Sequence, residues 1–495
     1  MVNLSVLLSK VRSGFYSLRG SPLELWKAYT LKFLESFAYF SFSMVFTLFL
    51  SEDFGFSDIA SGTIYGSWGA LVTVYGLLSG FLVDNMGVAA SIKVGFLLSL
   101  LARIAIFWTS SRPILLFQVL VVLPMGNCLG IPVLTTGIRR YTKETNRGFA
   151  YGLFYVIMNV AALLSGPLVD FCTLLHDCNK NNDNMMNENK EGGSDASNKN
   201  SEWRWSAYRM VILAGVVANI IACFISLTVK EIKVDDNHNN NDHDTEEATP
   251  AAAITTAATT KKFNPLKGSV LEIFQETIRS KNFWRFLAVC LITLNVRMIF
   301  RHLDATLPKY MVREFGTDVP KGTIYSINPA LIIILVPIVT AASREIEPLV
   351  MIHFGSYISA ASVFFLAFST SITSCVLFVV FLSIGEAIWS PRLYDYTMSI
   401  TKEGREGTYM ALSSAPLFLA KLPVGFISGY LLQTYCPEDG IKRSKIMWFI
   451  IGISTIISPI LMTLSWKYIS KIDREDETNE AELKNLVSSN SIQSM

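Results

Sequence analysis

Along this chain apolar residues gather into runs of about twenty instead of alternating with polar ones, which is the length of helix that crosses roughly 30 Å of hydrocarbon. The pattern predicts about twelve helices, at roughly 29–51, 60–83, 92–110, 113–137, 148–171, 205–228, 283–311, 322–342, 348–369, 371–397, 407–432 and 445–467. Strands would need a period of two, which is missing. Lipid offers the backbone no hydrogen-bond partner, so each span has to satisfy its own amides, and an all-α fold follows. Two polar stretches interrupt the pattern. Residues 172–203 are rich in Asn, Gly and charge, and residues 230–268 carry Asn, Asp and Glu clusters with an Ala/Thr tract; both read as disordered. The second divides the spans six and six.

The expected organisation is an N-terminal segment over 1–28 and a first six-helix half over 29–228, with 172–203 as an outer loop. A linker over 229–282, a second six-helix half over 283–468 and an acidic tail over 469–495 complete it. Composition agrees: 51% of residues are hydrophobic and 17% charged, more apolar surface than a soluble domain of this length could hide. The first residues carry Lys10, Arg12, Arg19 and Lys27 without a short apolar core and cleavage site, so the first span is expected to insert uncleaved. Basic residues there and at Arg139, Arg140, Lys143 and Arg147, against Glu52, Asp53 and Asp58 in the first outer loop, place both termini in the cytoplasm. Of the seven cysteines, Cys172, Cys178 and Cys436 fall near the outer face, leaving room for one disulfide.

The two halves echo one another. Phe54-Gly55 followed by Gly62-Thr63-Ile64-Tyr65 returns as Phe315-Gly316 followed by Gly322-Thr323-Ile324-Tyr325, about 260 residues later. Pro132, Arg147 and Tyr151 correspond at nearly the same offset to Pro391, Arg405 and Tyr409. Between the second and third spans stands Gly80-Phe-Leu-Val-Asp84-Asn-Met-Gly87, which resembles the inner-loop motif of the major facilitator superfamily. Its glycines permit a tight turn, and Asp84 can pair in one conformation and release in another. The basic residues that usually follow the motif are absent here. The resemblance implies two parallel six-helix halves with a solute held between them near the midplane.

Within that superfamily, three islands resemble the proton-dependent oligopeptide transporter family: Glu35-Ser-Phe-Ala-Tyr39 in the first span, Phe154-Tyr155-Val-Ile-Met-Asn159 in the fifth, and Gly385-Glu386 with Ser390-Pro391 in the tenth. The resemblance implies proton and substrate roles for Glu35 and Glu386. Lys32 and Ser36 replace a Glu and an Arg of the family's first-span element, and Ile131 stands where the family places a Lys, so typical peptide recognition is not implied.

The residues themselves point to the same places, because an ionisable side chain inside a bilayer costs at least a few kcal/mol and faces a cavity or a partner. Glu35 stands as a candidate proton site against the alternative of a static pair. Glu386 and Lys421 either pair as structural glue or line the pathway. Arg297, Arg301 and Asp304 share one helical face by their spacing, which suits an anionic or zwitterionic solute or, alternatively, a plain Arg301–Asp304 pair that leaves Arg297 to explain. Tyr39, Tyr65, Tyr155 and Asn159 are candidates for hydrogen bonds in the cavity or for packing. No nucleotide-binding element, metal-ligand spacing or nucleic-acid patch appears, so no cofactor, no metal, no nucleic acid and no enzymatic role are expected. The resulting expectation is a monomeric secondary transporter of a small solute in a lipid bilayer, driven by protons. Uncoupled facilitated diffusion and a solute sensor on a transporter body stand as alternatives.

Overall fold

The computed structural model describes residues 12–13, 15–142, 144–188, 205–231, 281–343, 346–399 and 419–469, and the described residues hold helices and no strand. The first six helices are α1 Leu23–Glu52, α2 Asp58–Met86, α3 Val88–Trp108, α4 in three pieces (Arg112–Phe117, Gln118–Val122, Leu123–Tyr141), α5 Glu144–Glu188 and α6 Ala207–Leu227. The second six are α7 Lys281–Ala305 with Leu307–Phe315, α8 Lys321–Ala342, α9 Pro348–Ser362 with Phe364–Phe368, α10 Ile372–Ser399, α11 Lys421–Tyr435 and α12 Ser444–Leu464. Nine helices among the described residues are long and apolar enough to cross a membrane.

Boundaries moved where local chemistry differs from the apolar pattern. Helix α5 runs on to Glu188, into the stretch expected to be a disordered loop from 172, because Asn and Asp residues continue a helix already nucleated by the apolar span. The rest of that loop, most of the linker and nearly all of the tail lie outside the described residues. Helix α4 contains a π turn over Gln118–Val122. Helix α7 is interrupted at Thr306, ahead of Pro308. The described cysteines are all free, Cys172 and Cys436 buried and Cys178 exposed.

Much of the interior is apolar, and large apolar side chains also stand on the outer helix surfaces. Phe224, Phe368 and Leu464 are among the large side chains exposed on the helix surfaces, where a soluble protein would place charge. Lipid-facing helices gain nothing from polar coats, and their association rests on close packing through small residues. Of these nine helices, α1 is the most enclosed.

Small residues set the packing, and they do so twice. Within the first half Gly126 of α4 lies against Ser99 of α3; within the second, Gly385 of α10 lies against Ser359 of α9. Between the halves, Gly62 of α2 meets Gly425 of α11, and Gly322 of α8 meets Gly166 of α5, so closely that a Cβ on any of the four would strike the facing backbone. The echoed Gly-Thr-Ile-Tyr segments therefore supply one glycine to each of the two crossings.

The helices alternate between two ends: a terminal end, holding the start of α1 and the finish of α12, and a distal end. At the distal end the halves are tied by charge. Asp58 at the start of α2 accepts from Lys309 at 2.8 Å and from Arg313 of α7 at 2.8 and 2.9 Å. Asp170 of α5 caps α8, accepting from the amides of Gly322 (2.8 Å) and Thr323 (2.7 Å) and from the Thr323 hydroxyl. These contacts join the two halves at the distal end.

Candidate functional site

The ionisable side chains singled out within the apolar runs are buried or half-buried among the helices, and they fall into three groups. The first lies where the halves meet. Arg301 and Asp304, one turn apart on α7, form an ion pair at 2.9 Å, and Asp304 Oδ2 also accepts from Ser43 of α1 at 3.4 Å and Tyr65 of α2 at 3.2 Å. This carboxylate belongs to the second half and is held by hydroxyls of the first. His302 turns away and shares a 2.7 Å hydrogen bond with Thr306, which donates to Ser428 of α11 at 2.8 Å.

Beside that pair sits Lys421. Its ammonium lies over three aromatic faces of the first half, 3.9 Å from the Trp68 ring centre, 4.6 Å from Tyr65 and 4.8 Å from Tyr39. Of the two readings for Lys421 and Glu386, the direct pair is not formed. Lys421 leaves α11 towards α2, through the gap at Gly69, whose missing side chain makes room for the lysine stem. Glu386, on α10, instead accepts from Asn328 of α8 at 2.8 Å, and Asn328 also donates to Ser383.

The second group lies within the second half. Arg297 is buried, its guanidinium 5.5 Å from the Trp389 ring centre, and its Nε and Nη2 have no hydrogen-bond partner. Glu386 is near enough to act on it through space but forms no ion pair with it within 4.0 Å among the described residues. A guanidinium stacked on indole is held in place with its donor edge left open.

The third group lies within the first half. Glu35 and Lys32, both buried on α1, approach to 3.6 Å, and Lys32 Nζ lies 5.1 Å from the Phe154 ring centre. Neither Glu35 oxygen has a hydrogen bond. Arg103 of α3 acts on Glu35 electrostatically and packs 5.6 Å from the Phe42 ring centre, with Nε and Nη1 unpartnered. Sequence reasoning passed over Arg103, although the rule that singled out Glu35, an ionisable residue inside an apolar run, applies to it equally. It also passed over Trp68, Asn328 and Ser43, which carry no mark in a single sequence.

Of the remaining candidates, Tyr155 and Asn159 lie one turn apart on α5, where the Asn159 amide donates to the Tyr155 carbonyl of its own helix at 2.9 Å. Gly80 and Asp84 fall near the end of α2, with the Asp84 side chain outside the described residues. Gly87 has φ +82°, the left-handed turn expected of it. There the Glu231 carboxylate, following α6, accepts from the amides of Val88 (3.2 Å) and Ala89 (2.6 Å), capping α3. Lys143, Arg405 and Tyr409 lie outside the described residues.

The profile of the Major Facilitator Superfamily matches residues 28–422, and the chain belongs to that superfamily of membrane transporters. Its fold is that of solved transporters at low identity. A POT family transporter in complex with 5-aminolevulinic acid shares 14% identity at a TM-score of 0.67, over 91% of this chain and 97% of the other. A bacterial homologue of the human drug peptide transporters PepT1 and PepT2 shares 13% at 0.62, over 91% and 99%. A point mutant of the nucleoside transporter NupG shares 10% at 0.64, over 89% and 99%. No curated protein matches the chain by sequence. The protein is thus a multi-pass membrane transporter of a small solute, and not an enzyme.

Proposed function

We propose that the chain is a proton-coupled symporter, acting as a monomer by alternating access, whose solute carries a carboxylate or another anionic group. The observation behind the solute class is Arg297: a buried guanidinium with two unpartnered nitrogens, backed by Trp389. Buried guanidinium donors without acceptors are costly there unless a ligand completes them. The surrounding balance favours the same reading. Among the described residues between the two ends, Lys32, Arg103, Arg297, Arg301 and Lys421 stand against Glu35, Asp304 and Glu386. Glu35 is the proposed proton site, because its oxygens have no hydrogen bond and its cationic neighbours can hold the deprotonated form until a proton replaces them. Glu386 is the second candidate. Both termini are proposed to be cytoplasmic, so that the distal end, where the halves are joined by charge, faces outward.

The test is uptake into proteoliposomes with and without an imposed pH gradient. The first solutes are 5-aminolevulinate, the ligand of one structural neighbour, and short peptides. The parent is expected to accumulate a carboxylate-bearing solute only with the gradient. Arg297→Lys keeps the charge but loses the planar fork, so the apparent affinity should fall about tenfold or more while thermal stability stays near the parent's. Glu35→Gln should keep solute exchange and lose gradient-driven accumulation. Unchanged affinity in Arg297→Lys would remove the anionic-solute reading, and unchanged accumulation in Glu35→Gln would remove the proton site.

A further inference from the structure

The surroundings of Lys421 are unusual for a buried lysine. Its Nζ lies within 5 Å of three aromatic ring centres, those of Trp68, Tyr65 and Tyr39, and the residue is 1% exposed. Attraction between an ammonium and ring faces strengthens when water is excluded, and an arrangement of several faces is how proteins recognise alkylated ammonium groups. All three rings belong to the first half, on α1 and α2, and brace one another: Tyr39 and Trp68 are 5.4 Å apart and Tyr65 and Trp68 6.3 Å apart, centre to centre. The cation belongs to the second half. The cage is complete without helix α11.

The route by which Lys421 reaches the cage is also built. Gly69 faces the lysine stem; a Cβ there would stand 2.5 Å from Lys421 Cβ and 2.6 Å from Cδ. Gly66, one turn earlier, lies against the Lys421 carbonyl, where a Cβ would come within 2.9 Å. Together with Gly62 these residues form a groove along α2 that receives α11. Lys421 therefore enters its cage only while the halves are pressed together at this crossing.

From these two observations we propose that the Tyr39–Tyr65–Trp68 cage is a binding site for an organic ammonium group, filled in this conformation by Lys421 as a tethered occupant. Parting of the halves withdraws Lys421 and leaves the three rings intact, facing the central cavity. A free alkylammonium ion then occupies the place that Lys421 leaves, and the lysine competes with it when the halves close. The proposal rests on the alternating-access reading for its opening step, but it does not depend on proton coupling or on Arg297.

Tetramethylammonium chloride tests it, with sodium chloride at equal concentration as the control and thermal unfolding of the purified full-length protein as the readout. Lys421→Ala empties the cage, so tetramethylammonium should raise its Tm saturably by about 2 °C or more. The parent, whose cage is filled, should need at least about tenfold more of the ion for the same shift. Adding Trp68→Leu to Lys421→Ala should abolish the response. Gly69→Ala is the second route, for use if Lys421→Ala does not fold: it expels the lysine stem, leaves the rings untouched, and should show the same gain. The proposal is overturned if neither Lys421→Ala nor Gly69→Ala gains a response beyond that to sodium. It is equally overturned if the response survives Trp68→Leu. Because this binding is read without a transported solute, its failure is distinguishable from failure of the symport reading.

Discussion

The distal end of the bundle and its middle both hold buried charge, yet they do not treat it alike. At the distal end the carboxylates that join elements are saturated. Asp58 takes Lys309 and Arg313, Asp170 takes two amides and a hydroxyl, and Asp53 takes Arg209 at 2.9 Å and Ser206 at 2.8 Å. In the middle, Glu35, Arg103 and Arg297 keep polar atoms buried without hydrogen bonds. Leaving one such group unsatisfied costs about 1–3 kcal/mol, and more for a charged one. The distal carboxylates that join elements are saturated and so are central Asp304 and Glu386, whereas Glu35, Arg103 and Arg297 are left open, and Glu35 and Arg297 are the two proposed above to work in transport.

This contrast is broken most forcefully at Asp58. Asp58→Ala leaves Lys309 and Arg313 facing each other without the carboxylate that neutralises both, and both lysine and aspartate side chains there are less than a tenth exposed. The expected loss is about 3–5 kcal/mol, read as a fall in the Tm of the purified protein. If the loss were under about 1 kcal/mol, the scale of an exposed pair, the distal ion pairs would be ornaments and the distal end would rest on packing alone.

Packing is tested next, at the glycine crossings. A Cβ on Gly322 would strike the Gly166 carbonyl, which is backbone and cannot swing aside. Gly322→Ala should cost about 1–3 kcal/mol through overpacking and hold α5 and α8 apart. Cysteines placed at Leu163 and Ser326, whose hydroxyl now donates to the Leu163 carbonyl at 2.9 Å, should crosslink readily in the parent and slowly with Gly322→Ala. Equal crosslinking would show that the crossing tolerates a methyl group and does not set the closure.

Much of this was legible in the sequence, and what was not has a physical reason. The spans follow from apolar run length, which depends only on the bilayer. The echo of Gly62-Thr-Ile-Tyr in Gly322-Thr-Ile-Tyr marked the repeat, and the two glycines prove to be residues through which the halves touch. Gly62 with Gly66, and Gly425 with Gly429, even carry the four-residue spacing of close helix pairs. The position of these ionisable residues inside apolar runs was legible too, and Glu35, Arg297 and Lys421 are all buried among the helices. Partners were not. A one-dimensional pattern places Glu386 and Lys421 in the same half and suggests a pair, but the direction in which each side chain leaves its helix is fixed by neighbours far away in sequence. Gly69 admits the lysine stem into the first half, while Asn328 claims the glutamate.

The smallest expected effect lies at the terminal end, outside both the distal contacts and the central charges. There Glu231 accepts from the amides of Val88 and Ala89 at the start of α3, just after Gly87 turns the chain. A helix start offers unsatisfied amides and about half a positive charge, so a carboxylate there is favoured by about 0.3–1 kcal/mol. Glu231→Gln keeps an acceptor oxygen of the same reach and gives up only the charge. The hydrogen bonds to the two amides can largely survive, and what is lost is their charge assistance. The Tm should therefore fall by about 2–4 °C at most, and the fall should shrink as salt is added, since this end is open to solvent and screening acts there. Solute uptake should be unchanged, because the Glu231 contacts to Val88 and Ala89 lie within the first half, away from the central charges. A loss as large as that of Asp58→Ala, insensitive to salt, would mean that the terminal end is also held by saturated charge, and the distinction between a charge-joined distal end and the rest of the molecule would fail.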